Sequence, residues 1–432
     1  MGGVSARAET DAGCGPFEER YAAATFEVAA ADPGLEPSRS ASAVEGPIVT
    51  LPAPPTILPD PPAGEALLAL PKGPDGSLPS DFELGEGAKI VESFFSPILC
   101  ATVARVVGVE GAAPEALVAS VPDSATVVAN SVYVSAQEAV TPAPTPTPES
   151  DPYRSLQYAL DQIDVKPSRA ISRGKGARVA VLDSAPAVEH RDLGNVEVST
   201  LEGGPGNVPA AHGTLVAALI GAVEQNGFGM AGIAPEVDVL AVPVCTPQGA
   251  NASDRCLLFD LLRGLDRAWS REAFILNLSI VGPTNPLLER AMSRLDQLGA
   301  VVVASAGNEG TEAPRYPAAY PSVIGVGAVD RDRKLYARSN RGLSAELTAP
   351  GVEVLSAVPG DAFAFATGTS FAAAHVSGVL GILVGSGVDP VEARAALFQS
   401  AHAAAGTVSQ GAVPLPPVCD MLARLGRACT LP

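Results

Sequence analysis

From Arg178 onward, short apolar runs alternate with longer segments of helical pattern. The runs Arg178–Leu182, Val237–Val244, Phe274–Ser279 and Ala300–Ser305 are largely apolar at neighbouring positions. Strands of that kind are typical of sheets covered on both faces, and helices between strands favour parallel pairing. The pattern therefore predicts an α/β fold in which a doubly wound, mostly parallel sheet carries helices on both faces.

The first 150 residues differ from the rest in charge and proline content. They contain 6 basic and 20 acidic residues, and therefore carry −14 of the chain's net charge of −19. They also contain 20 of the 40 prolines. Such a composition favours irregular structure, and the alternating residues of Thr141–Pro148 are typical of an extended linker. Between these regions, a helix-like stretch at Ala113–Val121 and a β-branched run predict a small α+β module. We therefore divide the chain into a Pro-rich, largely irregular leader (1–85), the α+β module (86–136), the linker (137–152), the α/β domain (153–402) and a C-terminal extension (403–432).

Charge and hydropathy argue against two kinds of partner. An acidic chain repels nucleic-acid phosphates, so we expect no nucleic-acid partner. The 27 residues Ala362–Val388 carry no Asp, Glu, Lys or Arg, a length sufficient to cross a bilayer. The same stretch contains His375 and several glycines, so we expect a buried helix there and no membrane span. The first thirty residues lack a basic start followed by an apolar run, so no signal peptide is visible.

The six cysteines are too few for a small disulfide scaffold. Two close spacings, Cys245 with Cys256 and Cys419 with Cys429, predict disulfides that close small loops in an oxidising compartment. The alternative is that these side chains are buried reduced thiols, which pack like small apolar groups. No Cys-x-x-Cys spacing indicates a metal site, and we predict none.

Four polar residues stand where a predicted strand gives way to a helix or a turn. Asp183 and Asn308 each follow a β-rich run, whereas His212 and Ser370 each open an apolar helix. Singly, each has an ordinary structural interpretation as a turn residue, a structural histidine or a helix cap. Together, Asp, His and Ser in this order indicate a serine nucleophile, and a helix N-terminus at Ser370 favours the oxyanion formed on attack.

The segments around these residues resemble the signatures of the subtilisin-like serine proteases, the subtilase family. They read Val181-Leu182-Asp183-Ser184, His212-Gly213-Thr214, Ala306-Gly307-Asn308-Glu309-Gly310 and Gly368-Thr369-Ser370. The similarity extends over roughly Asp151 to Leu397. It implies the subtilisin-like fold and a serine endopeptidase whose substrates are polypeptides.

The resemblance also implies a role for each residue. Ser370 attacks the peptide carbonyl to form an acyl-enzyme, and His212 takes and returns the proton. Asp183 holds the imidazole in the right tautomer, and Asn308 binds the oxyanion. His212 must be neutral to act as a base, so we expect activity to fall below about pH 6 to 7. No cofactor is required for this chemistry, a structural calcium ion stays an open alternative, and so does a binding scaffold of the same fold with weak or no activity.

Five further residues resemble parts of the substrate cleft. Ser279, Ile280, Val281 and Gly282 correspond to the segment whose backbone lines the cleft, and the family usually has Gly where this chain has Val281. Arg315 falls near the floor of the pocket for the residue before the scissile bond, which predicts a preference for small or acidic residues there. The alternative is that Arg315 points to solvent or pairs with a nearby glutamate.

The α+β module occupies the place of an inhibitory prodomain in the family. The resemblance therefore implies a zymogen, with this N-terminal region as an intramolecular inhibitor and a cut somewhere within Ala136–Pro152. It also implies a secreted or otherwise extracytoplasmic protease. The alternative for the module is that it binds another partner.

Overall fold

The computed structural model describes residues 58–71, 82–122, 124–136, 140–143, 151–248, 253–404 and 412–429. All of them belong to one compact unit, Ile57–Pro432. Most of the predicted leader and most of the predicted linker lie outside the described residues.

The described residues form strands and helices in the following order along the chain. The strands are β1 (Glu65–Pro71), β2 (Glu83–Leu84), β3 (Lys89–Ser96), β4 (Ala101–Val107), β5 (Val118–Ser120), β6 (Thr126–Ala129), β7 (Val132–Ser135), β8 (Val140–Pro142), β9 (Arg178–Asp183), β10 (Val196–Val198), β11 (Asp238–Pro243), β12 (Cys245–Thr246), β13 (Arg255–Leu257), β14 (Ile275–Leu278), β15 (Ile280–Val281), β16 (Val301–Ser305), β17 (Val323–Val329), β18 (Leu347–Pro350), β19 (Val354–Val358), β20 (Ala362–Ala366) and β21 (Val413–Pro414). The helices are α1 (Tyr158–Gln162), α2 (Val165–Ser168), α3 (Ala211–Gly221), α4 (Leu258–Ser270), α5 (Pro286–Gln297), α6 (Thr369–Gly385), α7 (Pro390–Ala404) and α8 (Val418–Arg424).

Eight strands form one sheet in the order β10-β11-β9-β14-β16-β17-β18-β21, and every neighbouring pair is parallel. Along β9, Val179 and Val181 join one buried apolar cluster, whereas Ala180 and Leu182 join another. The first cluster includes α3 and α6, and the second includes α4 and α5. Helices therefore cover both faces, and the predicted doubly wound α/β fold is confirmed.

The N-terminal module is built on an antiparallel sheet with the order β3-β4-β1-β6. On one side of β1, Leu68 packs into the module's own core, and on the other side Leu67 packs into the cluster that contains α4 and α5. Because both faces of β1 are covered, its sequence is apolar without alternation. The predicted boundary at residue 86 is therefore wrong, since a central strand lies within the stretch assigned to the irregular leader.

The helix predicted at Ala113–Val121 is also wrong. A single 3-10 turn, Pro114–Leu117, leads directly into β5, which pairs with β2. Because β5 begins at Val118 and pairs with β2, only the four residues of this turn remain before the strand, which is too few for an α-helix. The part of the module that the structure describes contains strands and no α-helix, so the α+β prediction does not hold for it.

The chain beyond residue 402 is part of the α/β domain, so the predicted separate C-terminal extension is wrong. Helix α7 runs to Ala404, β21 pairs with β18, and α8 packs against the central cluster. Both predicted disulfides are present: Cys419–Cys429 and Cys245–Cys256, the second of which joins β12 to β13.

The apolar stretch singled out in the sequence forms β20 and α6, and the helix is buried. Within the described ranges, no single helix is long and apolar enough to cross a membrane. One pair of helices, Thr369–Gly385 with Pro390–Ala403, passes a test of length and composition together and is bent by 119°.

Candidate active site

Asp183 and His212 are in direct contact in a buried site. Asp183 is the last residue of β9, and His212 lies in the first turn of α3. The imidazole Nδ1 is 2.7 Å from Oδ1 of Asp183, and both side chains are fully buried. A Cβ on Gly213 would lie 2.0 Å from the carbonyl oxygen of Ser184, so glycine after the histidine lets α3 approach the end of β9.

Ser370 lies in the first turn of α6, beside the same site. Its Oγ lies 2.7 Å from the carbonyl oxygen of Ala136 and 3.1 Å from that of Ser279. Among the described residues, Nε2 of His212 has no hydrogen-bond partner. The hydroxyl is therefore turned toward the carbonyl of Ala136 in this state and is not bonded to the imidazole.

Asn308 follows β16 and points its amide at the same carbonyl group. Its Oδ1 accepts a hydrogen bond from the backbone N–H of Thr369 at 3.0 Å, which orients Nδ2 toward the carbonyl oxygen of Ala136 at 2.8 Å. Gly307 has φ +100°, and a Cβ there would lie 2.4 Å from Nδ2 of Asn340. The backbone N–H of Ser370 points at the same oxygen of Ala136 at 3.4 Å. The carbonyl of Ala136 thus has donors from two separate elements.

The residue whose carbonyl occupies the site belongs to the N-terminal module. Strand β7, which ends one residue before Ala136, lies between β13 and β15 in an antiparallel sheet. The N–H of Ala136 donates to the carbonyl of Ser279 at 3.2 Å. Strands β13 and β15, which pair with β7 on either side, therefore hold this stretch of chain in an extended conformation across the site.

Residues 279–282, which the sequence assigned to the cleft, lie along one edge of β7. Ile280 pairs with Ser135 and Val281 pairs with Val134. The side chain of Val281 is buried in a small apolar cluster with Val132, Val134 and Ala136. The ring of Tyr133 lies against Gly282: a Cβ there would be 2.2 Å from its Cδ1 atom.

Arg315 pairs with a glutamate instead of pointing to solvent. Its Nε lies 3.2 Å from Oε1 of Glu309, whose side chain is 8% exposed. Glu309 also accepts a hydrogen bond from the amide of Asn340. Arg315 therefore forms the ion pair considered as its alternative, and its effect on the residue preferred before the scissile bond stays a prediction.

Asp254 is a residue of the site that the sequence reasoning missed. It comes just before β13, is 4% exposed, and has an Oδ2 atom without a hydrogen-bond partner among the described residues. Ligand atoms of Asp183, His212 and Asp254 lie within 4.8 Å of one another. The signal available in the sequence was an acidic residue two positions before Cys256, in a predicted disulfide loop.

Burial and neighbouring charges shift the pKa values of His212 and Asp254. Burial lowers the pKa of His212, but the carboxylates of Asp183 and Asp254 outweigh it and hold that pKa above its ordinary value. Burial raises the pKa of Asp254, an effect that the nearby imidazole and a hydrogen bond from Ser184 reduce. Shifted pKa values of this kind, in a buried site with an imidazole and a carboxylate, are typical of proton-transfer sites. The prediction that the chemistry needs no metal or cofactor stays a prediction.

Comparison with known proteins identifies the family. Residues 174–413 match the model of the Subtilase family, which is more than half of the chain. The chain belongs to the subtilase family. This subtilase is 33% identical to thermitase from Thermoactinomyces vulgaris over 271 residues, which is 60% of this chain and 94% of thermitase. It is 38% identical over 225 residues to the major intracellular serine protease of Bacillus subtilis (49% and 69% of the two chains) and 32% identical over 240 residues to subtilisin E of the same species (54% and 61%).

Membership of the family carries the general chemistry with it. The subtilase is a serine endopeptidase, and its substrates are polypeptides. The sequence prediction of the family and of the enzyme class is confirmed.

Proposed function

We propose that Ser370, His212 and Asp183 form the catalytic triad and that Asn308 and the backbone N–H of Ser370 form the oxyanion hole. The observation that supports this most is the environment of the Ala136 carbonyl oxygen, which lies 2.8 Å from Nδ2 of Asn308 and 2.7 Å from Oγ of Ser370. Donors arranged around a carbonyl oxygen stabilise the charge that develops there on attack.

The reaction follows from this arrangement. Rotation about the Cα–Cβ bond of Ser370 brings Oγ from the oxygen to the carbon of the carbonyl group. As the new C–O bond forms, Nε2 of His212 takes the hydroxyl proton, and the charge moves onto the oxygen held by Asn308. His212 then gives the proton to the leaving amine, the C–N bond breaks, and water hydrolyses the ester by the same steps in reverse. Asp183 keeps Nδ1 protonated throughout.

We also propose that the N-terminal module is the first substrate and the inhibitor of the enzyme. Strand β7 fills the cleft, and further polar contacts join the module to α4 and α5 behind it. The N–H of Ile98 donates to Oδ1 of Asp266 at 3.2 Å, Arg290 donates to the carbonyl of Leu99 at 2.8 Å, and Glu92 pairs with Arg263 at 2.9 Å. A substrate would have to displace this whole surface, so the uncut chain is a zymogen.

The peptide bond that we expect the site to cleave is Ala136–Gln137. Its carbonyl is the one in contact with Ser370 and Asn308, which narrows the predicted range Ala136–Pro152 to its first residue. In the same register, Ser279, Ile280, Val281 and Gly282 bind the backbone on the amino side of the scissile bond. The two disulfides support an oxidising, extracytoplasmic location.

Labelling with a fluorophosphonate, which reacts with an activated serine, tests the proposed triad. We expect the processed wild-type protein to be labelled and to hydrolyse a peptide substrate, and Ser370→Ala to do neither. Ser377→Ala, which changes a buried serine of the same helix, serves as the matched control and keeps both properties. Labelling that persists in Ser370→Ala would assign the nucleophile elsewhere.

The zymogen is tested by the same variant. Purified wild-type protein is expected to consist of two fragments that stay associated, whereas Ser370→Ala stays a single chain. Cleavage of Ser370→Ala to the same extent, in the absence of added protease, would contradict self-processing.

A further inference from the structure

A second carboxylate lies beside the imidazole, and nothing in the proposed triad explains it. Asp254 is buried, and one of its oxygens has no hydrogen-bond partner among the described residues. Burying a carboxylate is unfavourable unless another group compensates for the lost hydration. The position therefore requires a physical reason for an acidic side chain.

Binding of the module does not supply that reason. Asp254 holds Ser135 through its backbone alone: its N–H donates to Oγ of Ser135 at 2.9 Å, and its carbonyl accepts from the N–H of Ser135 at 3.2 Å. Any residue with a backbone N–H could make these two contacts. They do, however, fix the main chain at this point, together with the disulfide between Cys245 and Cys256 two residues further on.

The groups nearest to the carboxylate belong to the catalytic site. Ligand atoms of Asp254, His212 and Asp183 lie within 4.8 Å of one another. The hydroxyl of Ser184 lies 3.2 Å from Oδ1 of Asp183, and a hydrogen bond from this side chain also lowers the pKa of Asp254. The ring of Phe371, from α6, has its centre 6.0 Å from that of His212.

Only two ionisable side chains among the described residues act appreciably on the imidazole. Asp183, from β9, and Asp254, from the segment before β13, both favour its charged form and oppose the effect of burial. The groups that act on Asp254 in turn are His212, Ser184 and Asp183. The imidazole is thus placed in a buried site with two acids, of which Asp183 alone accepts its N–H.

We propose that Asp254 is a second acidic positioning residue for the catalytic histidine, stabilising the imidazolium that forms when His212 takes the proton of Ser370. This inference rests on the proposed triad and adds a residue to it. Among the described residues, Asp254 is not a hydrogen-bond partner of the reacting carbonyl or of the nucleophile, so it acts through His212. Since a charge inside a buried site is poorly screened, its effect on the imidazolium is larger than that of a surface acid.

The proposal has a consequence that a purely structural role lacks. An acid that favours imidazolium accelerates proton abstraction in the transition state, but it also keeps the resting histidine protonated to a higher pH. Loss of the charge should therefore have two opposite effects. The acidic limb of the activity profile should move to lower pH, and the rate on the plateau above it should fall.

The first experiment compares Asp254→Asn with wild type in kcat/KM against pH, using a short peptide substrate. Asp238→Asn is the matched control, because it also replaces one aspartate by asparagine, but at the end of the large sheet that faces away from the candidate active site. Asp238 is exposed there, and its Oδ2 lies 3.6 Å from Nη2 of Arg178. In Asp254→Asn only, we expect the acidic limb of the activity profile to move to lower pH and the plateau value of kcat/KM to fall. In Asp254→Glu, we expect the acidic limb to move back toward its wild-type pH. A plateau loss without any shift of the limb would overturn the proposal.

The second experiment does not depend on activity or on processing. In the uncut full-length Ser370→Ala protein, NMR titration follows the four histidine side chains, with and without Asp254→Asn. His375, whose pKa burial lowers to about 4, serves as an internal reference. We expect the midpoint of His212 to fall on substitution of Asp254 and that of His375 to stay. An unchanged midpoint for His212 would overturn the role of Asp254, whereas peptidase activity in Ser370→Ala would overturn the triad instead.

Discussion

Removing the ring of Tyr133 should release the module from the cleft. The ring is fully buried, it lies against Gly282, and its hydroxyl donates to the carbonyl of Pro283 at 3.1 Å. Truncation of a buried aromatic side chain to alanine costs about 3 to 5 kcal/mol. At about 1.4 kcal/mol per factor of ten, Tyr133→Ala should weaken binding of the cleaved module by about 100-fold to a few thousand-fold.

Dilution of the processed protein measures this affinity. On the proposal that the cleaved module inhibits while it stays bound, peptidase activity per molecule should rise as the protein concentration falls below the dissociation constant. In Tyr133→Ala this rise should occur at a concentration at least about 100 times higher than in wild type. Tyr133→Phe, which removes only the hydroxyl, should shift this concentration by roughly tenfold. Val109→Ala, in an apolar residue of the module that is 66% exposed, should leave it in place. Equal curves for Tyr133→Ala and Val109→Ala would refute this account of the cleft.

Two other changes test the interface and the cleft. Burial raises the pKa of Asp266, whose Oδ1 accepts a hydrogen bond from the N–H of Ile98, to about 7. Because the carboxyl group has the higher pKa in the bound form, its contribution to module binding is full below the ordinary pKa of aspartate and is lost as pH rises from there to about 7. Module affinity measured by dilution should fall by up to about tenfold per pH unit in that window, and Asp266→Asn should flatten the curve. In a peptide library, the residue preferred before the scissile bond should be small, as Ala136 is. In Arg315→Gly, the pocket for that residue should accept larger side chains. An unchanged library profile in this variant would contradict a role for Arg315 in the pocket.

The sequence was informative where a feature depends on a local pattern. The strands of the large sheet were visible because residues such as those of β9 are apolar at neighbouring positions. Asp183, His212, Asn308 and Ser370 were visible because each stands at a junction with small residues around it. The contacts of Asn308 and Ser370 with one carbonyl, and of Asp183 with His212, depend on pairings between distant segments, which the local pattern does not contain.

Other features were hidden for physical reasons. Strand β1 lies in a Pro-rich region, and its apolar run has no period because both of its faces are covered. The strand pairing of β7 with β13 and β15 joins residues more than a hundred positions apart. Asp254 sits in a loop without a motif, and its importance depends on the fold of the chain around His212. Side chains that act by long-range proximity are the ones that sequence reasoning misses.

The position of the first cut tests the central claim most directly. The claim is that Ser370 and Asn308 act on the carbonyl of Ala136, and it predicts one bond. Mass spectrometry of the freshly processed wild-type protein should find a fragment that begins at Gln137 and another that ends at Ala136, both absent from Ser370→Ala. A first cut at any other bond would contradict the account.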